Sequence, residues 1–219
     1  MEQGNVLPRF VLAASVVAGV SYVASWNMGL PEVSATALKG AGVALLALYA
    51  GLLARSLDGW LICTVLAFGA LGDVLLEAVG LTTGAVAFLV GHLIAIGLYL
   101  RNRRASLTPS QRLLAICLIP ATVIIAFFLP ADRAGAPGVA LYALGLSLMA
   151  ATAWTSRFPR LGAGLGAVMF VASDLLIFAR SGPLADAAWI GLAIWGLYYL
   201  GQLLICLGVT GALAKDRPA

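Results

Sequence analysis

Two aspartates stand inside long apolar stretches of this sequence: Asp73 in Gly72-Asp73-Val74-Leu75-Leu76 and Asp174 in Ser173-Asp174-Leu175-Leu176-Ile177. An ionisable side chain at the centre of a bilayer costs about 2.5–3.5 kcal/mol on insertion scales, so its presence demands a reason. Few other groups could act with them. Glu77 follows Asp73 by four residues, and the single histidine, His92, falls in the next apolar stretch. Trp195, Tyr198, Tyr199 and Gln202 recur at i, i+3, i+4 and i+7. Residues four apart share one side of a helix, so Glu77 stacks over Asp73, and the second set forms a polar–aromatic stripe. Lipid is a poor solvent for the Gln202 amide, so the stripe is expected to face a cavity. For Gln202 and the tyrosines, plain helix-to-helix hydrogen bonding is an equal alternative. Glu77 and Arg180 fall near span ends, where either could be a solvated helix terminus. The two aspartates lack an evident basic partner and point more strongly to function.

Two close carboxyls do not readily ionise together, so one keeps its proton at neutral pH. Such a pair offers a general acid and a general base to one bond. It suits hydrolysis through an oxocarbenium-like state, as in glycosidases, and equally suits proton coupling in a small transporter. A role confined to helix packing is the third reading. Other chemistries find no support. There is no H-E-x-x-H, G-x-S-x-G or P-loop pattern. Ser173 beside Asp174 carries no nucleophile signature. The G-x-G-D element of intramembrane aspartyl proteases meets Ala70-Leu71-Gly72-Asp73, which lacks the first glycine. Cys63, Cys117 and Cys206 are scattered through apolar runs, which reads as small buried hydrophobes rather than a disulfide framework or metal site. No metal or organic cofactor is expected, and no nucleic acid.

The elements that must position these residues are membrane helices. Of 219 residues, 62% are hydrophobic and 10% charged, and the mean hydropathy is +1.03. A soluble domain is about 25% charged, so a water-soluble fold is excluded. The apolar runs are long and continuous, whereas barrel strands would alternate over about ten residues. Spans of about 17–25 apolar residues are predicted near 8–25, 36–54, 58–79, 82–100, 111–129, 136–154, 160–180 and 186–212. The fold class is therefore all-α, a polytopic membrane protein with eight transmembrane helices, and residues 1–219 are read as a single integral membrane domain. The first span reads as a retained signal anchor rather than a cleaved leader, because seven more spans follow.

With the N-terminus cytoplasmic, that side receives Arg9, Arg55, Arg101, Arg103, Arg104, Arg112, Arg157, Arg160, Lys215 and Arg217. The other side receives only Lys39, Arg133 and Arg180. This positive-inside bias predicts that both termini are cytoplasmic. Trp26, Trp60, Trp154 and Trp189 then fall at interfaces as belt residues. In this topology Asp73 and Asp174 lie at similar depths, two-thirds of the way across, with His92 and Tyr198 near the middle. The two halves also echo one another: Gly72-Asp73 and Gly91-His92 in the first, Ser173-Asp174 and Gly201-Gln202 in the second. A parallel 4+4 internal repeat of this kind would set the two aspartates about a pseudo-two-fold axis.

The order of Gly72-Asp73-Val74-Leu75-Leu76, Gly91-His92-Leu93, Ser173-Asp174-Leu175-Leu176 and Tyr198-Tyr199-Leu200-Gly201-Gln202-Leu203-Leu204 on spans three, four, seven and eight resembles the YhhN family. That family includes the lysoplasmalogenases, eight-span membrane proteins. The resemblance implies hydrolysis of the vinyl ether bond of lysoplasmenyl-choline or -ethanolamine to a fatty aldehyde and a glycerophospho-base. It implies Asp73 and Asp174 as the acid–base pair, with His92, Tyr198, Tyr199 and Gln202 lining the site; Glu77, Ser173 and Trp195, next to these on the same spans, are expected to complete the substrate-binding set. The implied partners are a lysophospholipid, membrane lipid and water. Trp195, Tyr198 or Tyr199 could meet a choline cation through its ring face, although simple packing ranks above that. The Ala-, Gly- and Arg-rich composition points to a GC-rich bacterial genome, and the expected location is the bacterial inner (cytoplasmic) membrane. The Asp-relay transporter stands as the alternative.

Overall fold

The structure, a computed structural model, describes residues 6–216. Helices run over Val6–Ser25 (α1), Glu32–Leu53 (α2), Leu57–Ala78 (α3), Leu81–Arg101 (α4), Pro109–Phe128 (α5), Ala136–Thr155 (α6), Leu165–Arg180 (α7) and Ile190–Lys215 (α8), with a π-helical turn at Arg160–Gly164 leading into α7. Among the described residues, eight helical segments are long and apolar enough to cross a membrane, the seventh counting the π turn with α7. The chain is thus an all-helical integral membrane protein, as the apolar spans predict. It forms two compact units, one up to Ile94 together with the stretch from Val209, the other from Ala95 to Gly208.

In the first unit α2 packs against both α1 and α3. Ser15 donates to the Gly42 carbonyl at 2.6 Å, tying α1 to α2. Small residues let the backbones approach, the usual device where lipid supplies no hydrophobic drive. A methyl group at Gly40 would meet Val74 at 2.6 Å, one at Gly72 would meet the Phe88 ring at 2.8 Å, and one at Gly84 the Leu76 backbone at 2.8 Å. The local sequence sets the ends of α3. The Ser56 hydroxyl accepts from the Gly59 N–H at 3.2 Å, with Asp58 in the first turn, a favourable N-cap and dipole arrangement. At the other end Gly80, at φ 126°, donates back to the Leu75 carbonyl at 3.0 Å. Only glycine takes that backbone conformation without strain, so α3 stops one residue after Glu77.

In the second unit α6 packs on α5 and α7. A capping box of Thr108 and Gln111, with Pro109 in the first turn, starts α5, as the helix-start rules expect. Two loops are latched together. Arg104 donates to the carbonyls of Ser156 at 2.6 Å and Phe158 at 3.2 Å, while Arg157 donates to the Asn102 side-chain oxygen at 2.6 Å. The α7–α8 crossing is backbone on backbone: a methyl group at Gly166 would lie 2.5 Å from the Gly201 carbonyl, and one at Gly208 2.6 Å from the Ala163 nitrogen.

Three details differ from the sequence expectations. Helix α8 begins at Ile190 rather than near 186, because residues after Pro183 fold into successive turns, with Leu184 donating to Ala179, Ala185 to Gly182 and Ala187 to Leu184. Trp26, Trp60 and Trp189 stand exposed as belt residues should, but Trp154 turns inward over Gly164, its indole N–H buried without a partner among the described residues. Cys117 is exposed on its helix rather than buried, whereas Cys206 is fully enclosed.

Candidate functional site in the helix bundle

The second unit gathers six of the predicted residues along the α7–α8 crossing. The close approach at Gly166 and Gly201 brings the α7 backbone against α8, and the side chains of the following turn meet. Ser173 donates to the Ile194 carbonyl at 2.9 Å. Its hydroxyl is therefore a tether between helices, in keeping with the missing nucleophile signature. Asp174, the next residue, accepts a hydrogen bond at 2.6 Å from the Tyr142 hydroxyl on α6, a distance typical of a strong O–H···O bond. Both partners are buried. The Tyr142 ring is held edge-on to Phe178 at 6.0 Å between centroids, so the hydroxyl is aimed by packing.

On α8 the polar–aromatic stripe is real and compact. Trp195 stacks on Tyr199 at 5.8 Å with 15° between planes, and lies tilted against Tyr198 at 5.6 Å. Phe170 of α7 meets Tyr198 edge-on at 5.1 Å. Gln202 donates to the Tyr198 hydroxyl at 3.4 Å, a long bond one turn apart on the same helix. All four stripe residues are buried, which places the Gln202 amide away from lipid, as its chemistry requires.

The first unit holds the other three. Asp73 and His92 are 2% and 4% exposed respectively, so each polar group sits inside the protein. Both follow a glycine that makes a helix contact: Gly72 faces the Phe88 ring, and Gly91 faces Phe68. Glu77 is different. It accepts a hydrogen bond at 2.5 Å from Lys39 of α2, forming an ion pair. Lys39 Nζ also lies 5.9 Å from the centre of the Tyr22 ring. Among the described residues no three His, Cys, Asp or Glu side chains gather as a metal ion would require.

Three residues of these arrangements were not singled out from sequence. Tyr142 is the one tyrosine of the sixth span, and a phenol in mid-span is a signal of the same kind as Gln202. Phe170 is an apolar residue among many, with nothing to distinguish it. Lys39, eight residues into an apolar helix, carried a signal that counting loop charges absorbed.

The model of the YhhN family matches residues 34–209, a stretch that encloses all nine candidate residues. Two curated relatives, each named Lysoplasmalogenase and coming from Mycobacterium bovis and Mycobacterium tuberculosis, are similar to this chain at 33% identity over 158 residues. The alignment covers 68% of this chain and 59% of each relative, so the chain spans less than two thirds of the curated proteins it matches. No solved structure matches it. With a family match running from the second helix into the eighth, this chain belongs to the YhhN family.

Proposed function

We propose that this protein is a membrane hydrolase that cleaves the vinyl ether bond of lysoplasmalogens, working in a bacterial inner membrane. The observation that carries the reading is the buried Tyr142–Asp174 hydrogen bond, with the Phe178 ring against Tyr142 and the Trp195–Tyr199 stack in the same unit. It is a carboxyl group held in one orientation in an apolar, aromatic setting. The name of the two mycobacterial relatives supports the substrate class.

Asp73 and Asp174 divide the acid–base work in this proposal. One carboxylic acid gives its proton to the outer carbon of the alkenyl double bond. The remaining cation is an oxocarbenium ion shared by the inner carbon and the ether oxygen. Water adds to that carbon and loses a proton to the other carboxylate, giving a hemiacetal. The hemiacetal then gives its hydroxyl proton to the first carboxylate while the second carboxylic acid protonates the departing glycerol oxygen, which releases a fatty aldehyde and a glycerophospho-base and returns both carboxyls to their starting states. General acid–base assistance of this kind contributes about 10²–10⁴-fold. Tyr142 acts through Asp174 as a positioning residue, and the apolar walls keep the reacting carbon among groups suited to an alkyl chain.

The test is aldehyde release by the full chain in detergent from lysoplasmenyl-ethanolamine and lysoplasmenyl-choline, beside Asp73→Asn and Asp174→Asn. Release by wild type is expected, with a loss of at least about a hundredfold in each folded variant. A folded wild type that releases no aldehyde from either head group overturns the named substrate, and proton-coupled transport becomes the reading to pursue. Full activity in either variant removes that aspartate from the mechanism.

A further inference from the structure

Resting on the lysoplasmalogenase reading, we propose that the Lys39–Glu77 ion pair is the head-group site for a zwitterionic lysophospholipid, Lys39 taking the phosphate and Glu77 the ammonium. The ion pair lies at the depth of lipid head groups. Tyr22 packs edge-on against Trp26 at 5.6 Å, and Trp26 stands exposed near the end of α1. Tryptophan so placed marks the membrane–water interface, where phospholipid head groups lie. Lys39 faces the Tyr22 ring, one helical turn from that marker. Glu77 sits at the penultimate position of α3. The pair therefore lies at head-group level.

The spacing of Glu77 from Asp73 matches the length of the lipid. Asp73 and Glu77 are four residues apart on α3, an axial step of about 6 Å. In a lysoplasmalogen the vinyl ether oxygen and the phosphorus are separated by five bonds across the glycerol, roughly 6 Å when extended. A lipid whose phosphate rests on Lys39 thus brings its vinyl ether to the level of Asp73, with the chain running deeper into the apolar helices. Asp73 is buried where Glu77 is partly exposed, which is the polarity order of the lipid itself.

The charges of the pair match those of the head group. The side chain of Lys39 is 12% exposed and that of Glu77 39%, so the cation lies inside and the anion toward the interface. A phospho-ethanolamine or phospho-choline group presents the same order reversed, with phosphate nearer the glycerol and ammonium outermost. Glu77 Oε1 engages one of the three ammonium donors of Lys39, which leaves two for phosphate oxygens. The second Glu77 oxygen is then available to the lipid ammonium. A partly exposed ion pair gives little stability by itself, so a lysine set into an apolar helix is better accounted for by ligand charge.

The test measures binding rather than turnover, so it reads independently of cleavage. The full chain in a neutral detergent is titrated with 1-O-alkyl-lysophosphoethanolamine, whose saturated ether cannot react, and with 1-O-alkylglycerol, which lacks the head group. Wild type is expected to prefer the phospholipid by at least about tenfold. Lys39→Met is expected to lose that preference while binding the alkylglycerol unchanged, and Lys39→Arg to keep most of it. Glu77→Gln is expected to weaken the phosphoethanolamine ligand but not the ammonium-free ether lysophosphatidate. Equal binding of phospholipid and alkylglycerol by wild type overturns the proposal whatever the variants do. So does an equal loss of both ligands in a folded Lys39→Met. Selective binding without aldehyde release would leave the head-group site standing and overturn only the hydrolase reading.

Discussion

Replacing Tyr142 by phenylalanine removes one hydroxyl and leaves the ring where it is. The ring is gripped by its edge contact with Phe178 at 6.0 Å, so Tyr142→Phe keeps the packing and deletes only the 2.6 Å hydrogen bond to Asp174. Across neutral and charge-assisted cases such a bond contributes about 1–3 kcal/mol. If all of that contribution is spent orienting the reacting carboxyl, the rate falls by roughly 5- to 150-fold at 1.36 kcal/mol per decade. The loss is expected in kcat, with KM nearly unchanged, because Tyr142 touches Asp174 and not the lipid in this scheme. The assay is aldehyde release followed through a coupled aldehyde dehydrogenase, with thermal unfolding measured on the same sample. A merely structural tyrosine would lower the unfolding temperature and leave kcat per folded molecule intact. A folded Tyr142→Phe protein with kcat within about twofold of wild type, alongside an inactive Asp174→Asn, refutes the positioning role.

Two further outcomes follow from the helix contacts. Gly166→Leu forces a side chain toward the Gly201 carbonyl, where even a methyl group would lie 2.5 Å away; the α7–α8 crossing must open, and a loss of about 1–3 kcal/mol in stability is expected, read by thermal unfolding in detergent. Ser173→Ala removes the tether to the Ile194 carbonyl but no reacting group, so aldehyde release should stay within about fivefold of wild type, in line with bundle hydrogen bonds averaging about 0.6 kcal/mol. Loss of all activity in Ser173→Ala would instead make that hydroxyl part of the chemistry.

The membrane class, the eight spans and the burial of Asp73, His92, Asp174 and Gln202 were legible in the sequence, because insertion into lipid penalises each misplaced polar group on its own; the buried Ser15, Asn102, Gln111 and Thr122 were not singled out. Depth and apolar run length are one-dimensional quantities, and a linear sequence displays them directly. The end of α3 is placed to within a residue by the length of the apolar run, while its cause, the positive φ of Gly80, shows only in the structure. What could not be read is pairing across helices. Nothing in the order of residues connects Tyr142 with Asp174, thirty-two positions apart, or Lys39 with Glu77, thirty-eight apart. The π turn at Arg160–Gly164 escaped for a related reason. Its Gly162 and Gly164 carry no mark in the sequence, and their role shows only in the structure, where they make room for Gly208 and the Trp154 ring.

The dipeptides that carried the sequence argument acquire a mechanical meaning from these contacts. In Gly72-Asp73, Gly91-His92 and Gly201-Gln202 the glycine is the point where one helix meets a neighbouring element of its unit, and the polar residue comes next. Successive residues on a helix are separated by about 100°. The residue after a contact glycine is therefore carried past the tightest point of the crossing while staying inside the bundle. All three polar partners, Asp73, His92 and Gln202, are buried. Glycine at the contact thus does two things together: it lets the backbones close, and it turns the neighbouring polar side chain into protein rather than lipid. A larger residue there would separate the helices and expose the polar group to hydrocarbon, so the two costs would fall together. The same coupling explains why a motif of only two residues can mark a candidate site. The glycine accounts for the packing, and the polar group that the packing shelters remains to be explained by chemistry.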